Sequence, residues 1–121
     1  AVERLTDGYE IKRAVIDPSA ASFITALKRR KFRVQQADNA VLDGIRRTAV
    51  YLKNGNIKIH RCCTDAIREF GLYRWDDKKT EDAVVKDNDH AMDDIRYFCN
   101  TIMKYKVEKK NKISPAAASL L

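Results

Sequence analysis

Short apolar runs alternate with longer segments of helical periodicity, and this alternation is the feature that most constrains the fold. The runs are AVI at 14–16, KFRVQQA at 31–37 and NIKIH at 56–60. Each is followed by a segment in which apolar residues recur at helical spacing. Repeated strand–helix units join parallel strands through right-handed crossovers. The sequence therefore predicts an α/β fold, with a mainly parallel sheet and flanking helices.

Capping and stop signals mark the ends of the predicted helices. Ser19 is placed to N-cap the first helix, and Asp38 or Asn39 to N-cap the second. The Asn-Gly pair at 54–55 is a stop signal for the second helix. A third helix is predicted over about 64–75. A polar, acid-rich loop at 76–88 then leads to a last helix that ends near residue 106.

The start of that last helix, DNDHAMDDIRYF at 87–98, concentrates negative charge. One helical face is predicted to hold the core residues Ala91, Ile95, Phe98, Cys99 and Ile102, with Met92 beside them. The other side carries His90, Asp93, Asp94 and Tyr97. Acids at a helix N-terminus are favoured by about 0.3–1 kcal/mol each, which accounts for one or two of them. Crowded like charges repel unless a cation lies between them.

A divalent metal ion would supply that cation. Carboxylate oxygens suit Mg²⁺ or Mn²⁺, and an imidazole beside them suits Mn²⁺. One helix cannot complete a two-metal site, so a further carboxylate is expected from elsewhere. Asp17 is the candidate, because it ends a buried strand at the edge where open α/β sheets bind ligands. Turn chemistry before Pro18 accounts for Asp17 equally well.

Net charge narrows the choice of partners. The 121-residue chain carries a formal charge of +7 and has a pI near 9.4, which favours nucleic acid as a partner. No apolar run approaches the ~18 residues of a membrane span.

The three cysteines, two of them adjacent, do not form a disulfide framework and indicate a reducing cytosol. Zinc binding by His60, Cys62 and Cys63 lacks a second ligand pair and is set aside.

Four motifs in order resemble the C-terminal nuclease domain of the large terminase subunit of tailed bacteriophages and prophages. They are IDPSA at 16–20, GI before LKNGNIKI, EFGLYRW at 69–75 and DHAMDDIRY at 89–97. The last is the most diagnostic, because the family typically shows Asp-His at its start and Arg-Tyr at its end. The resemblance covers about two-thirds of the chain, from Val15 to Phe98.

This resemblance implies a ribonuclease H-like fold and metal-dependent cutting of concatemeric double-stranded DNA during genome packaging. It implies Asp17, His90 and Asp93 as catalytic and metal-binding residues for Mg²⁺ or Mn²⁺ in a two-metal site. Asp89 and Asp94 are lesser candidates, since the family more often has alanine at the position of Asp94. Implied partners are double-stranded DNA, the terminase ATPase domain, the small terminase subunit and the portal. The implied location is the cytoplasm of the bacterial host.

The chain also departs from the family pattern. The family has a further catalytic aspartate on a strand upstream of IDPSA, and no such strand is visible in residues 1–16. No G-x-x-x-x-G-K-[ST] motif of an ATPase occurs either. We therefore expect residues 1–107 to be the C-terminal part of a nuclease domain, truncated at its N-terminus, with a flexible tail at 108–121. Such a piece is expected to be weakly active or inactive alone, and to self-associate through its unpaired sheet edge.

Several features have a structural explanation as well as a functional one. Glu69, Tyr73 and Trp75 are predicted to be structural, and Arg96 to pair with an acid of its own helix. The basic cluster KRRKFR at 28–33 is either a solvated helix end or a phosphate contact. The rival to a nuclease is a non-catalytic DNA-binding or scaffold domain, in which the acids only cap a helix. A small-molecule enzyme has little support, because no Gly-rich phosphate loop or G-x-S-x-G motif is present.

Overall fold

The structure is a computed structural model that describes residues 2–81 and 83–112. The chain divides between Ala37 and Asp38 into two compact units. The first contains two short strands and two helices, and the second is helical. No helix among the described residues is long and apolar enough to cross a membrane.

The first unit is built on a pair of parallel strands, as the sequence predicts. Strands β1 (Ala14–Ile16) and β2 (Val34–Gln36) align Ala14 with Val34 and Ile16 with Gln36. Helix α2 (Ala21–Arg29) connects them and buries Ile24 and Leu27. A short helix α1 (Val2–Leu5) precedes the strands. This is a βαβ unit with an α/β character, but the described sheet has two strands only.

The predicted cap at Ser19 is wrong. The N-cap residue of α2 is Ala20, and no side chain caps this end. The Ser19 N–H instead donates to Oδ1 of Asp17 at 2.8 Å, and the Ala20 N–H donates to the Asp17 carbonyl at 3.0 Å. These bonds form a turn at Asp17-Pro18, which moves the start of the helix one residue further along.

The described part of the second unit contains four α-helices and one π-helical turn. Helices α3 (Val41–Lys53), α4 (Thr64–Leu72) and α5 (His90–Phe98) are followed by a π-helical turn (Cys99–Met103) and α6 (Lys104–Asn111). The Asn-Gly stop signal is confirmed, because α3 ends at Lys53 and Gly55 has a φ of +72°. The third predicted helix is shorter than expected. The last one continues past residue 106, so residues 108–111 of the expected tail are helical, whereas 113–121 lie outside the described residues.

The predicted strand at 56–60 is not formed. The backbone N–H groups of Asn56 and Ile57 both donate to the Tyr51 carbonyl, so this segment is bonded to the end of α3. A strand needs a neighbouring backbone to accept its ladder of hydrogen bonds, and no described segment pairs with these residues. The loop that follows α4 has more structure than expected, because Trp75 and Val84 form an antiparallel bridge. A ribonuclease H-like sheet is therefore not established.

The predicted caps of α3 are also wrong. The N-cap residue is Ala40, whose N–H donates to Oδ1 of Asp38 at 3.2 Å. Asp38 instead attaches this end of α3 to the π-helical turn and α6. Its N–H donates to Oγ1 of Thr101 at 2.9 Å, and its carboxylate accepts from Lys104 at 3.1 Å. Lys104 first, and then the Ala40 N–H, hold the pKa of Asp38 below its usual value.

The buried face of α5 differs from the predicted one. Cys99 is buried as predicted, and so is Met92, expected beside the core face. Arg96 is buried as well, whereas Phe98, expected in the core, is 44% exposed. Arg96 occupies a buried place that helical periodicity assigns to an apolar residue, and its guanidinium has hydrogen-bond partners there. The π-helical turn begins after Phe98, and it buries Asn100, which the prediction does not place in the core.

Candidate functional site

The candidate ligand Asp17 directly follows β1 in the first unit, as predicted. Its side chain is half-buried, and the Ser19 N–H fixes one carboxylate oxygen. The other candidates, His90, Asp89, Asp93 and Asp94, lie within about one and a half turns at the start of α5 in the second unit. The structure thus brings these four together on one helix end.

The N-terminus of α5 is capped by a residue from another helix. Glu69 of α4 is 4% exposed, and its Oε2 accepts from the N–H groups of Ala91 at 2.7 Å and Met92 at 3.2 Å. A carboxylate in this position satisfies two donors that an α-helix leaves without partners, and its charge complements the helix dipole. The prediction that Glu69 is structural is confirmed by these contacts. No residue of α5 itself caps the helix through its side chain.

A lysine supplies a cation beside the crowded acids. The Nζ of Lys86 lies 2.8 Å from Oδ2 of Asp89 and 3.0 Å from Oδ2 of Asp93. The hydrogen bond to Asp89 raises the pKa of Lys86, and the same contact lowers the pKa of Asp89. The side chain of Asp89 is only 8% exposed. Among the described residues, its buried Oδ2 forms this ion pair with Lys86 and no further hydrogen bond. Lys86 therefore screens the repulsion between the two aspartates.

Asp93 is also held from the opposite side by Arg96. The Nη2 of Arg96 lies 2.9 Å from Oδ1 of Asp93, which confirms the predicted pairing within the helix. Its Nη1 donates to the carbonyls of Asn39 at 2.8 Å and Ala40 at 3.1 Å. Because Arg96 is buried and anchored at both terminal nitrogens, Nη1 and Nη2, it fixes the orientation of the Asp93 carboxylate.

His90 and Asp94 lie outside this ion-pair cluster. Both residues are exposed, and no hydrogen bond to either side chain is found among residues 2–81 and 83–112. Desolvation, followed by the charge of Asp93, raises the pKa of Asp94. Asp94 and His90 are the members of this group that remain open to an incoming ligand.

The arrangement does not by itself complete a metal site. Within residues 2–81 and 83–112, no group of three or more His, Cys, Asp or Glu side chains is placed to hold a metal ion. Both oxygens of Asp93 already contact cationic side chains of the protein. The donor types suit Mg²⁺ or Mn²⁺, but a metal ion would compete with Lys86 and needs a ligand beyond those brought together here. The metal roles of Asp17, His90 and Asp93 stay predictions.

Three residues of this site make contacts that sequence reasoning does not locate. Glu69 reaches α5 from 22 residues away, a contact that no local pattern signals. Lys86 falls in a predicted loop, although its spacing of three residues from Asp89 is a usable signal. Gly44 of α3 is buried against Arg96, and only the packing of two helices reveals why a side chain is absent there.

Comparison with known proteins identifies relatives among the solved structures. No protein-family profile matches the chain, and no curated protein sequence does so. Solved structures do match, among them the large terminase of a thermophilic bacteriophage in complexes with ADP and with ATP-γ-S, each at a TM-score of 0.81. A further structure of that terminase matches at 0.80. The identity is 42% in each case, over 84% of this chain and 27% of the terminase. The chain is therefore similar, over most of its length, to about a quarter of a phage large terminase.

Proposed function

We propose that the chain is part of the nuclease domain of a phage-type large terminase, an endonuclease that cuts concatemeric double-stranded DNA during packaging. The observation that carries this proposal is the 42% identity to a phage large terminase over 84% of the chain. The motif DHAMDDIRY, which resembles the nuclease family, lies within the helix end described above. In this proposal the domain adopts a ribonuclease H-like fold and works in the bacterial cytoplasm. It does so with the terminase ATPase domain, the small subunit and the portal.

The roles of the residues follow from their contacts. Asp93 presents a carboxylate whose orientation is set by a buried arginine, which is what a preorganised ligand requires. His90 is exposed beside it and supplies a nitrogen donor. Asp17 is held by its turn and supplies a third ligand in the proposed domain. The Mg²⁺ or Mn²⁺ would activate water and stabilise the leaving oxygen when bound. Asp89 and Asp94 are the lesser candidates, with at most a supporting role beside these three ligands.

The test is an Asp93→Asn substitution in the complete protein that carries this chain. Asparagine keeps an oxygen for Arg96 but removes the charge that a divalent ion requires, so DNA cutting should be lost while DNA binding persists. Asp77→Asn, which changes an exposed acid of the loop after α4, is the matched control and should cut normally. Retained cutting by the Asp93 variant would refute the metal role.

The second candidate is a non-catalytic DNA-binding or scaffold domain. One observation favours it: Asp89 and Asp93 are already paired with Lys86 and Arg96, so the acids need no metal ion for stability. The two candidates differ in their response to Mn²⁺. In a nuclease, Mn²⁺ should raise the melting temperature of the complete protein and Asp93→Asn should abolish the shift. In a scaffold domain, neither the wild type nor the variant should respond.

A further inference from the structure

A strongly basic groove lies in the first unit, away from the acidic end of α5 in sequence. It has a volume of about 700 Å³ and runs between the segment that follows α1 and the end of α2. Five cationic side chains line it, and Glu10 is the one acid among its lining residues. The cations are Lys12, Arg13, Arg30, Lys31 and Arg33.

Three of these cations have no acid partner among the described residues. Arg30 pairs with Glu3 at 2.6 Å, and Arg13 donates to Oε1 of Gln35 at 2.9 Å. For the side chains of Lys12, Lys31 and Arg33, by contrast, no ion pair or hydrogen bond occurs within residues 2–81 and 83–112, and all three residues are exposed. Surface lysines are ordinarily interspersed with acids, so an uncompensated cluster creates a local positive potential that attracts an anion.

The backbone at Lys31 adopts a conformation that is unfavourable for lysine. The Lys31 N–H donates to the Lys28 carbonyl at 2.9 Å and the Phe32 N–H to the Leu27 carbonyl at 3.0 Å, the bonding pattern of a Schellman motif. The residue at this position of the motif is left-handed, and Lys31 has a φ of +65°. Glycine adopts that conformation without steric penalty, whereas lysine does not. Local structure would thus favour glycine, yet the residue here carries a charge into the groove.

An aromatic side chain stands at the same groove. Gly8, with a φ of +80°, and a bond from the Tyr9 N–H to the Thr6 carbonyl turn the chain just before it. Tyr9 lines the groove and is 77% exposed, so its ring and hydroxyl are accessible to a ligand. Its hydroxyl can donate to a phosphate oxygen, as tyrosines in protein–DNA interfaces do.

We propose that this groove binds the phosphodiester backbone of DNA, with Lys12, Lys31 and Arg33 contacting phosphates and Tyr9 beside them. The identity of the polymer as double-stranded DNA rests on the proposed function, but the binding does not depend on cutting. Such contacts position a duplex without reading its sequence.

The experiment measures binding of a short DNA duplex to the full 121-residue chain in EDTA, across a range of salt concentrations. A Lys12→Gln, Lys31→Gln double variant should bind roughly tenfold more weakly near 0.1 M salt, and its log K–log[salt] slope should be shallower by about 2. The matched control is Lys78→Gln, Lys79→Gln, which removes the same charge from exposed lysines of another loop. It should leave binding nearly unchanged. An equal loss in both double variants would mean that net charge alone attracts DNA, and it would overturn the proposal.

Two further variants separate binding from folding and from cutting. Lys31→Gly removes one cationic side chain from the groove, so it should weaken DNA binding. Because glycine also relieves the left-handed strain, the variant should not lower the melting temperature. Normal DNA binding by this variant, together with normal binding by the lysine pair, would refute the groove. Asp93→Asn should bind DNA like the wild type in EDTA, so a failed nuclease test leaves this proposal standing. Inorganic phosphate at the same phosphate concentration should not displace the duplex. Displacement would identify a small-anion site instead and overturn the proposal.

Discussion

The contact between Gly44 and Arg96 provides the sharpest test of the structure. Gly44 lies in the first half of α3, and a Cβ added there would lie 2.6 Å from Cγ and 2.9 Å from Cδ of Arg96. Distances below 3 Å between such atoms do not occur in relaxed proteins, so Gly44→Ala requires Arg96 to move. On an exposed helix the same substitution is stabilising by about 1 kcal/mol, because alanine has the higher helix propensity.

Arg96 cannot move freely, because the far end of its side chain is fixed. Its guanidinium contacts the carbonyls of Asn39 and Ala40 and the carboxylate of Asp93, and the residue is 4% exposed. Overpacking of this kind costs about 1–3 kcal/mol, and losing one hydrogen bond of a buried charged group costs about 1.5–3 kcal/mol. After the gain in helix propensity is subtracted, Gly44→Ala should lower the free energy of unfolding by about 1.5–5 kcal/mol.

The assay is urea unfolding followed by circular dichroism. The matched control is Gly71→Ala, because Gly71 also lies in a helix but has no atom within 4 Å of the added Cβ. The control should be neutral or stabilising by up to about 1 kcal/mol. If Gly44→Ala were as stable as Gly71→Ala, the close packing of α3 on Arg96 would be wrong. The explanation of how Asp93 is oriented would then be wrong too.

Two further predictions concern the start of α5. Glu69→Gln removes a buried charge that accepts from Ala91 and Met92 and should cost about 1–2 kcal/mol in urea unfolding, whereas an unchanged midpoint would exclude Glu69 as the cap. Because the pKa of Asp89 is lowered by Lys86, the Asp89–Lys86 pair contributes stability that is fully present above the ordinary aspartate pKa of about 3.9 and is lost as pH falls through the lowered value. The stability difference between wild type and Lys86→Met should therefore shrink below about pH 4. A difference that stays constant down to about pH 2 would contradict the pairing.

Local sequence signals are sufficient for the parts of the fold that depend on near neighbours. The short apolar run at 14–16 and the periodic segment after it predict the strand and helix of the first unit, and β2 pairs with β1 in parallel as expected. The Asn-Gly stop after α3 and the pairing of Arg96 with Asp93 are predicted for the same reason. In each case the decisive signals come from residues a few positions apart.

Tertiary structure decided the features that depend on contacts between separate segments of the chain. The segment NIKIH has strand composition, but a strand forms only where another backbone accepts its hydrogen bonds, and composition does not report whether one is present. From sequence, the acids at 87–94 indicate a charge that a metal should balance. The folded chain places Lys86 between Asp89 and Asp93, and it brings Glu69 from α4 to cap the helix they begin. Sequence determined that this helix end is acidic and that Lys86 and Arg96 lie close to its acids in the chain, whereas the packing of α4 on α5 determined that Glu69 caps it. Burial makes such partners necessary, because an unpaired charge inside the protein costs more than any local preference contributes.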